Sequence, residues 1–204
     1  VVWLCDGANI AAYITEWSLF AVFFADEYRW SSTLTGAAQM AGDLLAAAFL
    51  ALTTTASWRR LLESRASGAK LLDRWLLQPP FNLALFFACY AVTFTMIAQR
   101  EFAVSVTGQI AMGTVYVFNK QAVVEAYVAL SHGSLPLFRR LEFVGSCTFN
   151  GCMAAASVLS VVSYEALGRR TPFFLVAAGS GLMALGVAGF FAVRLRGRWG
   201  GGFA

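Results

Sequence analysis

Six long apolar stretches occupy most of this 204-residue chain. A helix needs about 20 mostly apolar residues to cross the roughly 30 Å hydrocarbon core of a bilayer, and each stretch is close to that length. The stretches are Val1–Phe24, Gly36–Thr54, Phe81–Ala98, Phe102–Leu130, Glu142–Tyr164 and Phe173–Val193. They predict an all-α membrane protein whose six transmembrane helices form a single bundle over residues 1–204.

The composition excludes most other classes of protein. Hydrophobic residues make up 59% of the chain and charged residues only 13%, whereas a soluble domain has about 25% charged residues. A soluble chain of this length could not bury so much apolar side chain, because its surface is too large relative to its volume. The net charge of +4 needs no nucleic-acid partner, since basic residues between transmembrane helices produce the same excess. We therefore expect the bilayer as the main partner.

Few residues could bind a metal or a cofactor. The single histidine, His132, lies in a short polar linker, and the four cysteines show no CxxC spacing, so we interpret them as small packing residues. We expect no metal site and no cofactor. The chain begins with Val1 inside an apolar stretch, and we expect it to be part of a longer polypeptide.

Basic residues between the stretches predict the orientation. Ten of them lie in the loop 55–80, the linker 131–141 and the tail after 193, against four in the remaining linkers. Positively charged loops stay on the cytoplasmic side, so we expect a multi-pass protein with both ends and the loop 55–80 in the cytoplasm. Tryptophan and leucine recur at helical spacing in this loop, which favours a helix lying among the lipid headgroups; a calmodulin-type target helix is the alternative.

Polar side chains are concentrated on four of the six stretches. The third and sixth stretches contain no charged residue between their end residues, so the order polar, polar, apolar occurs twice. This order predicts two three-helix repeats, in which the third helix shields the other two from lipid. The residues that we expect to form a shared pathway for a solute or ion are Asp6, Asn9, Tyr13, Glu16, Asp43, Gln109, Tyr116, Lys120 and Asn150.

Helical spacing brings these polar residues to one side of each helix. On the first stretch they follow at steps of three and four residues, which keeps them within about 80° of arc. A charge in the middle of a membrane costs about 2.5–3.5 kcal/mol on insertion scales, so aligned charges predict a water-accessible cavity; structural ion pairs between helices are the alternative for any single residue. In the second stretch, Ala38, Gly42 and Ala46 form a row of small residues where another helix can approach closely.

Two pairs of charged residues carry more specific expectations. Asp6 and Lys120 lie at comparable depth when the first and fourth stretches run in opposite directions. We predict that they pair when the cavity is closed to the cytoplasm. Glu16 and Asp43 have no evident cationic partner, and either could carry a proton or simply accept hydrogen bonds.

The helix order, the central basic loop and several local fragments resemble the carboxy-terminal six-helix half of a major facilitator superfamily (MFS) transporter. Residues 26–31, followed by Gly36, are similar to the turn between the seventh and eighth helices of that family. Arg59 and Arg60 match the paired arginines that end its Gly-rich loop, whereas threonine and serine replace its glycine and aspartate. Residues 164–174 are similar to the turn into its last helix.

This resemblance implies a fold of two inverted three-helix repeats and transport by alternating access, in which two six-helix bundles rock about a central site. The chain supplies one bundle, so the second six-helix half is expected upstream in the same polypeptide or from a partner. Glu125, followed by Pro136 and Arg139, resembles the acidic–Pro–Arg element of many family members. By that likeness, Glu125 with Arg139 or Arg140 would form a gate latch; a plain helix-end salt bridge is the alternative.

The expected function is therefore that of one half of a secondary transporter for a small solute, with protons as a candidate coupling ion. A non-transporting membrane sensor or assembly subunit built on a similar bundle is the alternative. An intramembrane aspartyl protease is disfavoured, because Cys5 before Asp6 and Ala41 before Gly42 depart from the motifs of such enzymes. We expect no enzymatic activity.

Overall fold

The computed structural model describes residues 2–54 and 81–199, and these residues form α-helices joined by short turns. The helices are α1 Val2–Tyr28, α2 Ser32–Thr54, α3 Phe81–Ile97, α4 Phe102–Ser131, α5 Leu135–Leu167 and α6 Thr171–Trp199. The predicted all-helical class is confirmed for this part of the chain. The interfacial helix predicted in the loop 55–80, together with Arg59 and Arg60, lies outside the described residues.

Four of these helices are long and apolar enough to cross a membrane. The qualifying segments are Val2–Tyr28, Ser32–Leu52, Leu135–Leu167 and Thr171–Phe190, and Asn82–Ile97 is a shorter apolar helix. Large apolar side chains such as Phe143, Leu182 and Leu185 are exposed on their outer faces. A lipid environment covers such side chains without the cost that water would impose.

Two helices begin well before the predicted boundaries, at polar or turn-forming residues that the hydrophobic pattern did not include. α2 begins at Ser32 instead of Gly36, and the Ser31 hydroxyl accepts a hydrogen bond from the Leu34 amide at 3.4 Å. α5 begins at Leu135 instead of Glu142, with Pro136 in its first turn, where the missing N–H is harmless. Between α4 and α5 the chain turns through His132 and Gly133, both with positive φ.

α1 lies at the centre of the bundle. It contacts α2, α4, α5 and α6, while α4 contacts α1, α2, α3 and α5. α3 and α6 pack side by side. The prediction that the third helix only shields the others is incomplete, since α3 buries one whole face. The fully buried side chains of that face are Leu83, Phe87, Tyr90, Phe94 and Ile97.

Small residues allow α4 to approach two of its neighbours closely. A Cβ atom added to Gly42 of α2 would lie 3.0 Å from the carbonyl oxygen of Ile110, and one added to Gly108 would lie 2.9 Å from the carbonyl oxygen of Thr93 in α3. Ala38, Gly42 and Ala46 are all buried. The close helix contact predicted for this row of small residues is therefore confirmed.

The helices alternate in direction. We call the two ends of the bundle the Tyr28 end and the Val2 end. At the Tyr28 end, the Tyr28 hydroxyl donates a hydrogen bond to the carbonyl of Gln99, just after α3, at 2.8 Å. The ring of Tyr28 also contacts that of Phe102 in the first turn of α4. At the Val2 end, the indole of Trp3 donates a hydrogen bond to the carbonyl of Leu141 in α5.

Candidate functional site

Polar side chains of α1 and α4 face each other along the centre of the bundle. We call this group, with one tyrosine from α3, the polar core. Its members are Asp6, Asn9, Tyr13, Glu16, Tyr90, Gln109, Tyr116, Asn119 and Lys120. The rings of Tyr13 and Tyr116 stack between the two helices with their centroids 4.2 Å apart. Helical periodicity on α1 and α4 is what aligns these residues, as the sequence predicted.

The polar core contains an ion pair near the Val2 end. The ammonium of Lys120 donates a hydrogen bond to Asp6 at 2.7 Å, so the predicted contact is confirmed; its link to a cavity closed to the cytoplasm stays a prediction. The side chain of Asp6 is only 4% exposed, whereas that of Lys120 is 36% exposed. The Tyr127 hydroxyl donates a second hydrogen bond to Asp6 at 3.3 Å, and the Lys120 ammonium lies 4.8 Å from the centre of the Phe149 ring. Two donors and an aromatic face thus stabilise the charges of the pair.

Tyr90 of α3 is a member of the polar core that the sequence did not predict. Its ring is fully buried, and its hydroxyl donates a 2.5 Å hydrogen bond to the amide oxygen of Asn9. A buried tyrosine usually finds a partner for its hydroxyl, so an isolated tyrosine in the most apolar stretch was the available signal. The other amide atom of Asn9, its Nδ2, has no hydrogen-bond partner among the described residues.

Further toward the Tyr28 end, Gln109 of α4 meets Glu16 of α1. The Nε2 of Gln109 donates a hydrogen bond to Oε1 of Glu16, and both residues are buried, at 4% and 3% exposure. Within the described part of the chain, Glu16 forms no ion pair. The Oε1 of Gln109 has no hydrogen-bond partner there either.

Asp43 of α2 approaches the same stretch of α4. One of its carboxylate oxygens lies 3.5 Å from the place that a Cβ atom on Gly113 would occupy. Gly113 is one helical turn from Gln109, so the two carboxylates of Asp43 and Glu16 face neighbouring turns of one helix. The residue as a whole is exposed on α2.

Two other expected features, Asn150 as a pathway residue and the gate latch, lie outside the polar core in this structure. Asn150 is exposed and donates its hydrogen bond to the carbonyl of Ser146 in its own helix. It lies opposite the face of α5 that carries Thr148 and Cys152, the residues that contact Gly7 of α1. Asn150 is therefore not part of the polar core.

The gate latch of Glu125 with Arg139 or Arg140 does not form in this structure. Glu125 instead accepts a hydrogen bond from Gln121, one turn earlier in α4, at 3.0 Å. None of the ion pairs between described residues joins it to either arginine. The reason is that α5 begins at Leu135, so both arginines belong to an exposed helical turn rather than to a loop that could reach back.

A second polar group, which we call the Tyr28-end clamp, joins four helices. Arg170, at the start of α6, donates hydrogen bonds to Glu27 at 2.5 Å and to the carbonyl of Ala98, after α3, at 3.0 Å. Tyr164 of α5 donates one to Asp26 at 3.0 Å. The sequence showed acidic residues after one apolar stretch and basic residues before another, but spacing alone could not pair them.

The described residues thus define an all-helical protein with four helices able to cross a membrane and a polar core enclosed by apolar surfaces. Within them, no three His, Cys, Asp or Glu side chains are grouped as metal ligands. No protein-family model matches the chain, and neither the curated proteins nor the solved structures give a match. The function is therefore argued from the geometry of the polar core.

Proposed function

We propose that this chain is one six-helix half of a secondary transporter that moves a small solute by alternating access. The observation that carries the proposal is the polar core, in which charged and amide side chains of α1 and α4 lie buried between helices whose outer faces are apolar. Ionisable groups inside a membrane are expensive and commonly mark pathways for solutes or ions. Transport makes use of them, whereas a purely structural bundle would be as stable with apolar contacts there.

In this proposal α3 and α4 also cross the membrane. The 17 residues of α3 extend about 25 Å at 1.5 Å per residue, which is at the short end of the range for a spanning helix. The central polar groups of α4, Gln109 and Asn119, are buried in the polar core, whereas Gln121 and Glu125 are exposed nearer its C-terminal end. Both ends of the chain and the loop 55–80 are cytoplasmic, and the Tyr28 end faces the opposite side.

The packing of the helices supports two inverted repeats. Two repeats of three helices would make α1 equivalent to α4, α2 to α5 and α3 to α6. Several of the observed helix contacts are equivalent to one another in this sense. The contact of α1 with α5 becomes that of α4 with α2, and the contact of α1 with α6 becomes that of α4 with α3. Internal inverted repeats with a site at their interface are typical of secondary transporters. The second six-helix half would complete the site beside Lys120, Tyr13 and Tyr116, the members of the polar core that are only partly buried.

The Asp6–Lys120 pair has a specific role in this mechanism. It joins α1 to α4 near the Val2 end, which the proposed orientation places toward the cytoplasm. Opening the site to that side requires this contact to separate or to be replaced by polar groups of the solute. The aromatic pair of Tyr13 and Tyr116, deeper in the core, offers a flat apolar surface beside the hydrogen-bonding groups.

The test is uptake by the full-length protein in lipid vesicles, with a panel of sugars, amphipathic organic ions and drug-like solutes, with and without a pH gradient. We expect one solute class to accumulate, and we expect Asp6→Asn or Lys120→Gln to lower its uptake rate by at least tenfold. Glu142→Gln removes an exposed carboxylate of α5 and is the matched control. Binding of a solute without movement across the vesicle would contradict transport and would favour a sensor.

A further inference from the structure

We propose that Glu16 binds the coupling ion as a proton, and that the side-chain amide of Gln109 is the hydrogen-bond partner of both the ionised and the protonated carboxyl group. This inference rests on the proposed function, because it assigns the coupling ion of that same transporter. It begins from three facts: a buried carboxyl group, a single amide partner, and an amide oxygen that is left unpartnered.

The ionised form of Glu16 is served by the arrangement that the structure shows. Nε2 of Gln109 donates a hydrogen bond to the carboxylate, and no cationic side chain is paired with it within the described residues. One neutral donor compensates only part of the solvation that a carboxylate loses on burial. The Gln109 hydrogen bond thus compensates part of the burial cost of the Glu16 carboxylate, but no paired cation neutralises its charge.

The protonated form of Glu16 needs an acceptor for its O–H, and the side-chain oxygen of Gln109 can act as that acceptor. This oxygen, Oε1, is buried and has no partner among the described residues. A carboxamide carries a donor and an acceptor of nearly equal size, and half a turn about its last side-chain bond exchanges them. A proton from water then adds to one carboxylate oxygen of Glu16, and the new O–H donates to Oε1. Release of the proton reverses both steps.

The other titratable groups around Glu16 are known from each packed helix. Tyr13 of α1, Asp43 of α2 and Tyr90 of α3 interact electrostatically with Glu16, and Tyr116 of α4 stacks on Tyr13. α5 and α6 contact charged residues of α1 at the Tyr28-end clamp instead. There Tyr164 bonds to Asp26 and Arg170 bonds to Glu27. Asp43 is exposed on α2, so it is less enclosed than Glu16.

The proposal is tested by infrared difference spectroscopy of the full-length protein in lipid vesicles during a pH titration. We expect a carbonyl band of a protonated carboxyl group to appear at low pH and to be lost in Glu16→Gln. In Gln109→Leu the band should remain but move to higher wavenumber, because the carboxylic acid then has no acceptor. If Glu16→Gln does not fold, the shift of the band in Gln109→Leu tests the proposal instead.

The control is Glu125→Gln. Glu125 is bonded to a glutamine, as Glu16 is, but it is exposed, and its loss should leave the band in place. A wild-type band that persists in Glu16→Gln overturns the proposal. A band that disappears when sodium is added at constant pH also overturns it, in favour of a sodium site. The measurement needs no solute, so its failure is distinguishable from failure to transport.

Discussion

At the scale of single residues, the two members of the Asp6–Lys120 pair have unequal surroundings. Asp6 is almost completely enclosed, while Lys120 keeps a third of its side chain accessible. A lysine left alone can extend its ammonium along its flexible stem toward water or headgroups. The short side chain of a buried aspartate cannot reach water in this way. The two single substitutions should therefore differ in effect.

We expect Lys120→Met to destabilise the protein more than Asp6→Asn does. Removing the lysine leaves a buried carboxylate without its cationic partner, which costs about 3–5 kcal/mol. The Tyr127 hydroxyl still donates a hydrogen bond to this carboxylate. Removing the carboxylate leaves a cation that can reach solvent. The measurement is the free energy of unfolding in detergent, with the double variant Asp6→Asn/Lys120→Met completing the cycle.

The double variant should be more stable than Lys120→Met alone, with a coupling of about 1–3 kcal/mol. Strictly additive losses would mean that the pair contributes no interaction energy, and equal losses for the two single substitutions would contradict the expected difference between them. Arg139→Met, at an exposed position of α5, controls for the loss of a positive charge without a partner.

At the scale of helices, close approach depends on a few glycines. Gly108 of α4 lies against α3 so tightly that an added Cβ would be 2.7 Å from the Cβ of Met96 and 2.9 Å from the backbone nitrogen of Ile97. Those atoms belong to a helix and cannot move independently. The side chain that contacts Asn9 from α3, Tyr90, is held in place by the same interface.

We expect Gly108→Ala to push α3 away from α4 and to lower the free energy of unfolding by about 1–3 kcal/mol, the usual cost of overpacking. The hydrogen bond from Tyr90 to Asn9 should lengthen as α3 moves. The midpoint of thermal unfolding in detergent gives the first effect, and the near-ultraviolet circular dichroism of the tyrosines reports the second.

Gly186→Ala is the matched control, because an added Cβ on this α6 glycine meets nothing within 4 Å. Alanine there should be neutral or slightly stabilising, since it favours helix over glycine by up to about 1 kcal/mol. A similar loss of stability in both variants would show that the α3–α4 contact is not responsible, because helix propensity favours alanine at both positions.

At the scale of the whole molecule, the Tyr28-end clamp joins helices that are distant in the chain. Arg170 alone links α1, α6 and the end of α3, and its guanidinium also lies 5.9 Å from the centre of the Phe23 ring. Four helices secured at one end can move together as a rigid body. Alternating access requires such rigidity within each half.

We expect Arg170→Gln to lower stability by about 2–3 kcal/mol, because it removes two hydrogen bonds made by a charged and largely enclosed donor. Arg169→Gln should cost less than about 1 kcal/mol, as is usual for exposed ion pairs. The exposed fractions of the two side chains are 23% and 50%, and the ion pairs of Arg169 are longer, at 3.7 and 3.8 Å. Thermal unfolding of the two variants in the same detergent compares adjacent arginines directly.

Much of the polar core was predictable because it follows from helical periodicity. Residues three and four apart share a face whatever the fold, so Asp6 and Glu16 were certain to lie on one side of α1. The partner of Asp6 on α4, Lys120, followed from opposite helix directions and similar depth, whereas the partner of Glu16 was not predicted. The surroundings of Asn150 and Glu125 could not be predicted from the sequence, because they depend on which face α5 presents and where it begins.

The amino-acid sequence by itself determined the helical class, the apolar segments, the polar faces of α1 and α4 and the Asp6–Lys120 pair. These follow from local periodicity and from the cost of isolated charges in a membrane. Only the tertiary structure decided that Tyr90 reaches Asn9, that Gln109 meets Glu16 and that Arg170 binds Glu27. Those contacts depend on the rotation and neighbours of each helix, which are set by packing between residues far apart in the chain.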